Sequence, residues 1–153
     1  MGIYEIAAAT TIRVAPEHVW AVLDDFNGWP GWMPSMRNLR VEFLSEGDPG
    51  VGFRFRLRGW LAYADLEITD FLPLARATRF QLNIPPLTGD NRCELKPLGD
   101  GSYRLERVDH LELPDPLIGF LDATQRERFD RLAAEFLDAL KRRVEERAGY
   151  VEP

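Results

Sequence analysis

The chain predicts an α+β domain in which one antiparallel sheet of seven strands wraps around a single long helix at the C-terminal end. Three observations carry this prediction. Helical periodicity is sustained over a long stretch only once, from Asp115 to about Arg147; seven other stretches alternate apolar and polar residues; and Gly, Pro and Asp clusters punctuate them. A sheet with one apolar face needs a cover, and this helix is the only element long enough to supply it. About 32 helical residues span roughly 48 Å, so the helix has to lie across the sheet.

In chain order, Tyr4, Ile6, Ala8, Thr10, Ile12 and Val14 alternate with Glu5, Ala7, Ala9, Thr11 and Arg13, which is the period of a half-buried strand. Pro16 then opens a short helix with Val19, Trp20, Val22 and Leu23 on its apolar side. His18, in its first turn, has no orienting partner nearby and reads as solvated. Residues 26–34 are too rich in Gly and Pro for a long helix and too apolar for an exposed loop. They read as a second short helical elbow, with Trp29 and Trp32 plugging one end of the core, rimming a ligand pocket, or doing both.

Five strands follow, near 39–43, 51–57, 64–68, 78–82 and 91–95. Phe53, Phe55 and Leu57 point to one face and Arg54, Arg56 and Arg58 to the other, where Asp65 and Glu67 of the next strand can meet them. Such exposed pairs are worth under about 1 kcal/mol each and read as structural. Ala64, Leu66, Ile68, Thr78, Phe80, Leu82, Asn91, Cys93 and Leu95 continue the inner face.

The last strand, 102–113, holds the one conflict in the pattern. Arg107 and Asp109 share parity with Tyr103, Leu105, Leu111 and Leu113, so inward leucines bring both charges inward. Either the two pair or line a wet cavity, or a bulge near Val108 turns them to solvent. His110 has the opposite parity, so no Ser/His/Asp triad is supported. In the final helix, Asp115 is placed to cap the first turn and Pro116 to occupy its first position. Leu117, Ile118, Leu121, Gln125, Phe129, Leu132, Ala133, Phe136, Leu137, Leu140 and Val144 form the inward stripe. Gln125 interrupts it, and an inward amide there needs Asn91, Arg107 or a ligand as partner.

Composition bounds the rest. With 153 residues, 45% of them hydrophobic, residues 1–153 are expected to form a single domain. A net charge of −6 argues against a nucleic-acid partner. Cys93 is the sole cysteine and there are two histidines, so an intrachain disulfide is impossible and neither a metal nor a cofactor is expected. GxGxxG, P-loop, HExxH and CxxC patterns are absent, as are a signal-like N-terminus and an apolar run of membrane-spanning length. A cytoplasmic protein is the expectation.

The segment Thr11-Ile12-Arg13-Val14-Ala15-Pro16-Glu17-His18-Val19-Trp20, followed by Asp24 to Trp32, resembles the opening of the polyketide cyclase/dehydrase branch of the START-like, or SRPBCC, superfamily. The resemblance extends over essentially the whole chain and implies the helix-grip fold. It also implies an apolar cavity between sheet and C-terminal helix for a lipid, polyketide, isoprenoid or aromatic ligand. On that footing the ligand-binding candidates are Trp29, Trp32, Met33, Met36, Phe53, Phe55, Leu66, Ile68, Phe80, Leu82, Asn91, Cys93, Leu111, Gln125 and Phe129. Cys93 reads as a small buried hydrophobe there, since it has no evident activating base. Two function classes follow: a carrier or sensor of a hydrophobic small molecule, acting as monomer or homodimer, and a polyketide cyclase, aromatase or dehydratase. In the second, Arg107 would hold an enolate or carboxylate and Asp109 would be the base. A quinone-binding or partner-regulating role, known among relatives, is a third.

Overall fold

The computed structural model describes residues 1–150. Strand β1 (Gly2–Ile12) leads into helix α1 (Pro16–Leu23), a 3-10 turn (Phe26–Gly28) and the single-turn helix α2 (Trp29–Trp32). Strands β2 (Arg40–Phe43), β3 (Arg54–Arg58), β4 (Tyr63–Leu72), β5 (Ala75–Leu82), β6 (Leu87–Pro97) and β7 (Tyr103–Leu113) follow, and α3 (Asp115–Ala148) closes the chain. All neighbours in the sheet are antiparallel, in the order β1-β7-β6-β5-β4-β3-β2. The meander from β2 to β7 therefore ends beside β1, and α3 packs along β1 with further contacts to β7, α1 and α2. This is the expected helix-grip architecture. Among the described residues no helix is long and apolar enough to cross a membrane.

The outer face carries the anticipated charge ladder in part: Arg56 donates to both carboxylate oxygens of Asp65, at 2.6 and 3.0 Å, whereas Arg58 turns to Glu42 of β2, on the other side, at 2.6 Å. The Arg56 guanidinium holds the Asp65 carboxyl below its usual value against the opposing effect of burial. On the inner face, Phe26 stacks on Phe55 with ring centroids 4.1 Å apart, and Trp29 meets Phe55 edge-on at 5.5 Å. The elbow thus plugs the end of the core. It is fixed there because the Trp29 indole N–H donates to the Leu23 carbonyl at 3.0 Å.

Two details of α3 differ from expectation. Asp115 is already the first helical residue and its carboxylate caps nothing; the Pro114 carbonyl accepts from Leu117 and Ile118 N–H instead. The turn is set by Pro114 and Pro116, whose φ is fixed, so no side-chain cap is required to start it. The apolar stripe is also buried unevenly. Ala133, Phe136, Leu137, Leu140 and Val144 are buried, whereas Leu117 and Leu132 are exposed. The first half of the helix meets mainly the edge strand β1, through Ile118, Leu121 and Phe129 against Tyr4 and Ile6. One strand is too narrow to cover a whole stripe.

Candidate functional site

The pairing of β7 with β1 and with β6 runs without interruption from Tyr103 to Glu112, so no bulge intervenes at Val108. Arg107 and Asp109 therefore face inward. Arg107 donates from Nε to Asp109 Oδ2 at 3.0 Å and from Nη2 to Oδ1 at 3.2 Å, while Asn91 Nδ2 donates to Oδ1 at 2.6 Å. Phe136 of α3 lies under the guanidinium, 3.8 Å from ring centre to Cζ. Register explains the cluster: Thr78, Asn91 and Asp109 stand opposite one another across β5, β6 and β7, and Cys93 stands opposite Arg107.

These groups lie on the wall of a cavity of about 230 Å³ between the sheet, the elbow and α3. Its lining includes ten expected residues: Trp29, Met33, Met36, Leu66, Ile68, Phe80, Asn91, Cys93, Arg107 and Asp109. Phe129 lies instead on a second cavity of about 180 Å³. The other candidates line neither. Phe53 and Phe55 are consumed by the aromatic stack with Phe26, and Trp32 packs against Phe136 at 5.9 Å. Leu111 joins the Tyr4 cluster under the first half of α3, and Leu82 sits at the end of β5, beyond the lining. Gln125 is half-buried on the half of α3 that overlies β1, so its amide reaches neither Asn91 nor Arg107.

The structure adds a second ion pair that the sequence reading lacked. Arg76 of β5 forks onto Asp24 at the end of α1, with Nε–Oδ1 at 3.0 Å and Nη2–Oδ2 at 3.1 Å. Its guanidinium stacks 3.7 Å from the Phe71 ring centre and 4.6 Å from that of Trp20. Both Asp24 and Arg76 line the larger cavity. The signal was available, because Arg76 has the inward parity of Thr78 and Phe80; a strand read as starting at Thr78 leaves it out. Ala77 also lines this wall beside Thr78, next to the point where β4 carries one extra residue between Ile68 and Asp70.

Chemically, the cavity is an apolar chamber with two charge-balanced poles. Burial pushes the Cys93 thiol up to about 11, an effect that nearby Arg107 only partly opposes, so the group stays protonated and is a poor nucleophile. Both oxygens of Asp109 are engaged, which suits holding a group better than removing a proton from one. His110 faces the other side of the sheet, between Asp90 at 3.0 Å and Glu5 at 3.2 Å, and takes no part.

Residues 5–145 match the family model described as polyketide cyclase/dehydrase and lipid transport. No curated protein matches the chain. Among solved structures, the Zhui aromatase/cyclase from a Streptomyces species is 21% identical, with a TM-score of 0.68 and coverage of 98% of this chain and 100% of that one. A norcoclaurine synthase from Thalictrum has a TM-score of 0.68 at 12% identity, covering 96% and 97%. A START superfamily protein from Mycobacterium smegmatis has a TM-score of 0.62 at 18% identity, covering 95% and 97%. At these identities the solved structures bear on the fold alone, whereas the family model spans most of the sequence, and on that ground this chain, with its helix-grip fold, belongs to the polyketide cyclase/dehydrase and lipid-transport family.

Proposed function

We propose that the protein binds a hydrophobic small molecule in the cavity between the sheet and α3 and acts as its carrier or sensor. The observation that carries this reading is the wall itself: Trp29, Met33, Met36, Leu66, Ile68 and Phe80 enclose apolar space beside an ion pair already closed on itself. Such a wall favours burial of apolar surface and offers one hydrogen-bonding locus to orient it. Native mass spectrometry of gently purified protein, followed by organic extraction, should release a bound apolar compound. A protein that carries nothing and leaves tryptophan emission unchanged with polyketide-like aromatics, fatty acids and hydrophobic dyes would refute the reading.

A second reading, a cyclase, aromatase or dehydratase working in the same cavity, is favoured by one observation: a carboxylate and a guanidinium sit side by side on the wall. A substrate oxygen taking over a bond from Arg107 would free an Asp109 oxygen to act as base. Turnover that vanishes in Asp109→Asn while ligand affinity persists would select this reading; binding without any turnover of polyketide-like substrates would select the carrier.

A further inference from the structure

The Arg107–Asp109 pair does not close off one end of a single chamber. Arg107, Asp109, Phe136, Met33 and Met36 line both cavities, so they form a wall between the larger chamber, under the elbow, and the smaller one, bounded by Ile6, Phe129, Leu132 and Ala133. At about 230 and 180 Å³, each chamber falls below the roughly 300 Å³ at which small-molecule sites begin, whereas the two joined exceed it. Two of the five partition residues are methionines, whose unbranched side chains change rotamer readily.

Charge narrows the ligand further. Asp109 balances Arg107 and Asp24 balances Arg76, so neither pole presents an uncompensated cation to an anion. An anionic ligand would meet a guanidinium whose charge a bidentate carboxylate already balances, and would stand beside that carboxylate's own negative charge. Bonds to Asp109 use one hydrogen each on Arg107 Nε, Arg107 Nη2 and Asn91 Nδ2, which leaves both Nη1 hydrogens and the second Nη2 hydrogen of Arg107 and the second Nδ2 hydrogen of Asn91 as donors, with Oδ1 of Asn91 as acceptor.

We infer that the ligand is an electrically neutral, elongated molecule carrying a carbonyl, enol or hydroxyl oxygen near its middle, which Arg107 and Asn91 hold at the partition while apolar arms fill the two chambers. The inference rests on the cavity-binding reading above and deepens it.

Ketones delivered from cyclodextrin and titrated by tryptophan fluorescence test it. Heptadecan-9-one should bind about tenfold more tightly than heptadecan-2-one, the low end of the worth of one hydrogen bond from a charged donor since Asp109 already pairs with Arg107, and more tightly still than heptadecanoate. In the double variant Arg107→Met/Asp109→Asn, which removes both charges together, the preference for the central ketone should disappear. In Leu132→Trp, which enlarges a side chain on the wall of the smaller chamber, the affinity ratio of heptadecan-9-one to nonan-5-one should fall by about tenfold; loss of folded protein cannot mimic that ratio. Equal affinities for the three long probes, tighter binding of heptadecanoate, or an unchanged ratio in Leu132→Trp would overturn the inference and leave the cavity-binding reading intact. Failure of every probe to bind would overturn both.

Discussion

Replacing Phe136 with alanine tests whether the second half of α3 grips the sheet in the manner described. Phe136 is 7% exposed, packs against Trp32 and carries the Arg107 guanidinium on its face. Removing the ring withdraws about 120 Å² of buried apolar area, or ~3 kcal/mol at ~25 cal/mol per Å². Loss of the cation–π contact adds about 1 kcal/mol. The void term that raises many Phe→Ala costs should be small here, because Phe136 already borders both cavities and its removal enlarges existing space. The sum is about 3–4 kcal/mol. With a urea m-value of about 2 kcal/mol/M for a domain of this size, the midpoint of a far-ultraviolet circular dichroism melt should fall by about 1.5–2 M at unchanged slope. A loss below about 1 kcal/mol would refute the packing of α3 proposed here, since no mostly exposed ring could account for the contacts described.

Asp109→Asn should destabilise the protein by about 1–3 kcal/mol, below the 3–5 typical of a sealed ion pair, because the cavity admits water to the remaining guanidinium; Arg107→Met/Asp109→Asn should recover part of that loss in the same melts, and a single variant that costs nothing would contradict the inward pair. Gly89→Ala should cost about 1–3 kcal/mol, since a Cβ there would stand 2.2 Å from the His110 carbonyl oxygen and 2.6 Å from Phe80 Cζ; wild-type stability would show that β6 and β7 approach less closely. For His110, burial lowers the pKa but the hydrogen bonds to Asp90 and Glu5 outweigh it, and the net shift is upward. The folded state then binds more protons than the unfolded one, so this stabilisation is complete below the unfolded value of about 6.5 and fades as pH rises through the folded value. Its size should stay under about 1 kcal/mol because the three groups are partly solvated; a His110→Gln variant whose stability follows pH between 6 and 8 just as the wild type does would remove the effect.

The strand parities made the polar centre of the cavity readable in advance: Arg107 and Asp109 fall on the leucine face of an uninterrupted strand, and Asn91 and Cys93 fall on the matching face of its neighbour. Parity cannot tell core from cavity, because both are lined by the same side chains. Phe53 and Phe55 have the inward parity of Leu66 and Ile68, yet the position of Phe26, set by a loop with no periodicity, sends them into the stack and leaves the others on the cavity wall. Gln125 shows the same limit on a helix. A heptad-like stripe marks the side that faces protein, but which strand lies beneath a given turn depends on where the helix crosses the sheet. The Asp24–Arg76 pair illustrates a third case, where the two residues lie on separate elements and only the end of α1, brought against β5, joins them.

Unfilled interior space works against stability. Apolar wall that faces water or open space forfeits the contacts that packed side chains would make with it. Several features offset such a cost by stiffening the walls. The Trp29 indole is tethered to Leu23, the Trp20 indole donates to the Pro73 carbonyl at 2.8 Å, and Arg76 clamps α1 to β5 between two aromatic rings. Each ties the elbow or α1 to its surroundings without placing a side chain in the void. Ala64, Ala77 and Thr78 contribute small side chains to the wall, at positions where larger apolar ones would take up part of the same space. A braced wall beside open space that is lined in part by small residues fits a fold in which the missing contacts are supplied by a molecule bound from solution, whose binding energy then adds to the stability of the folded state.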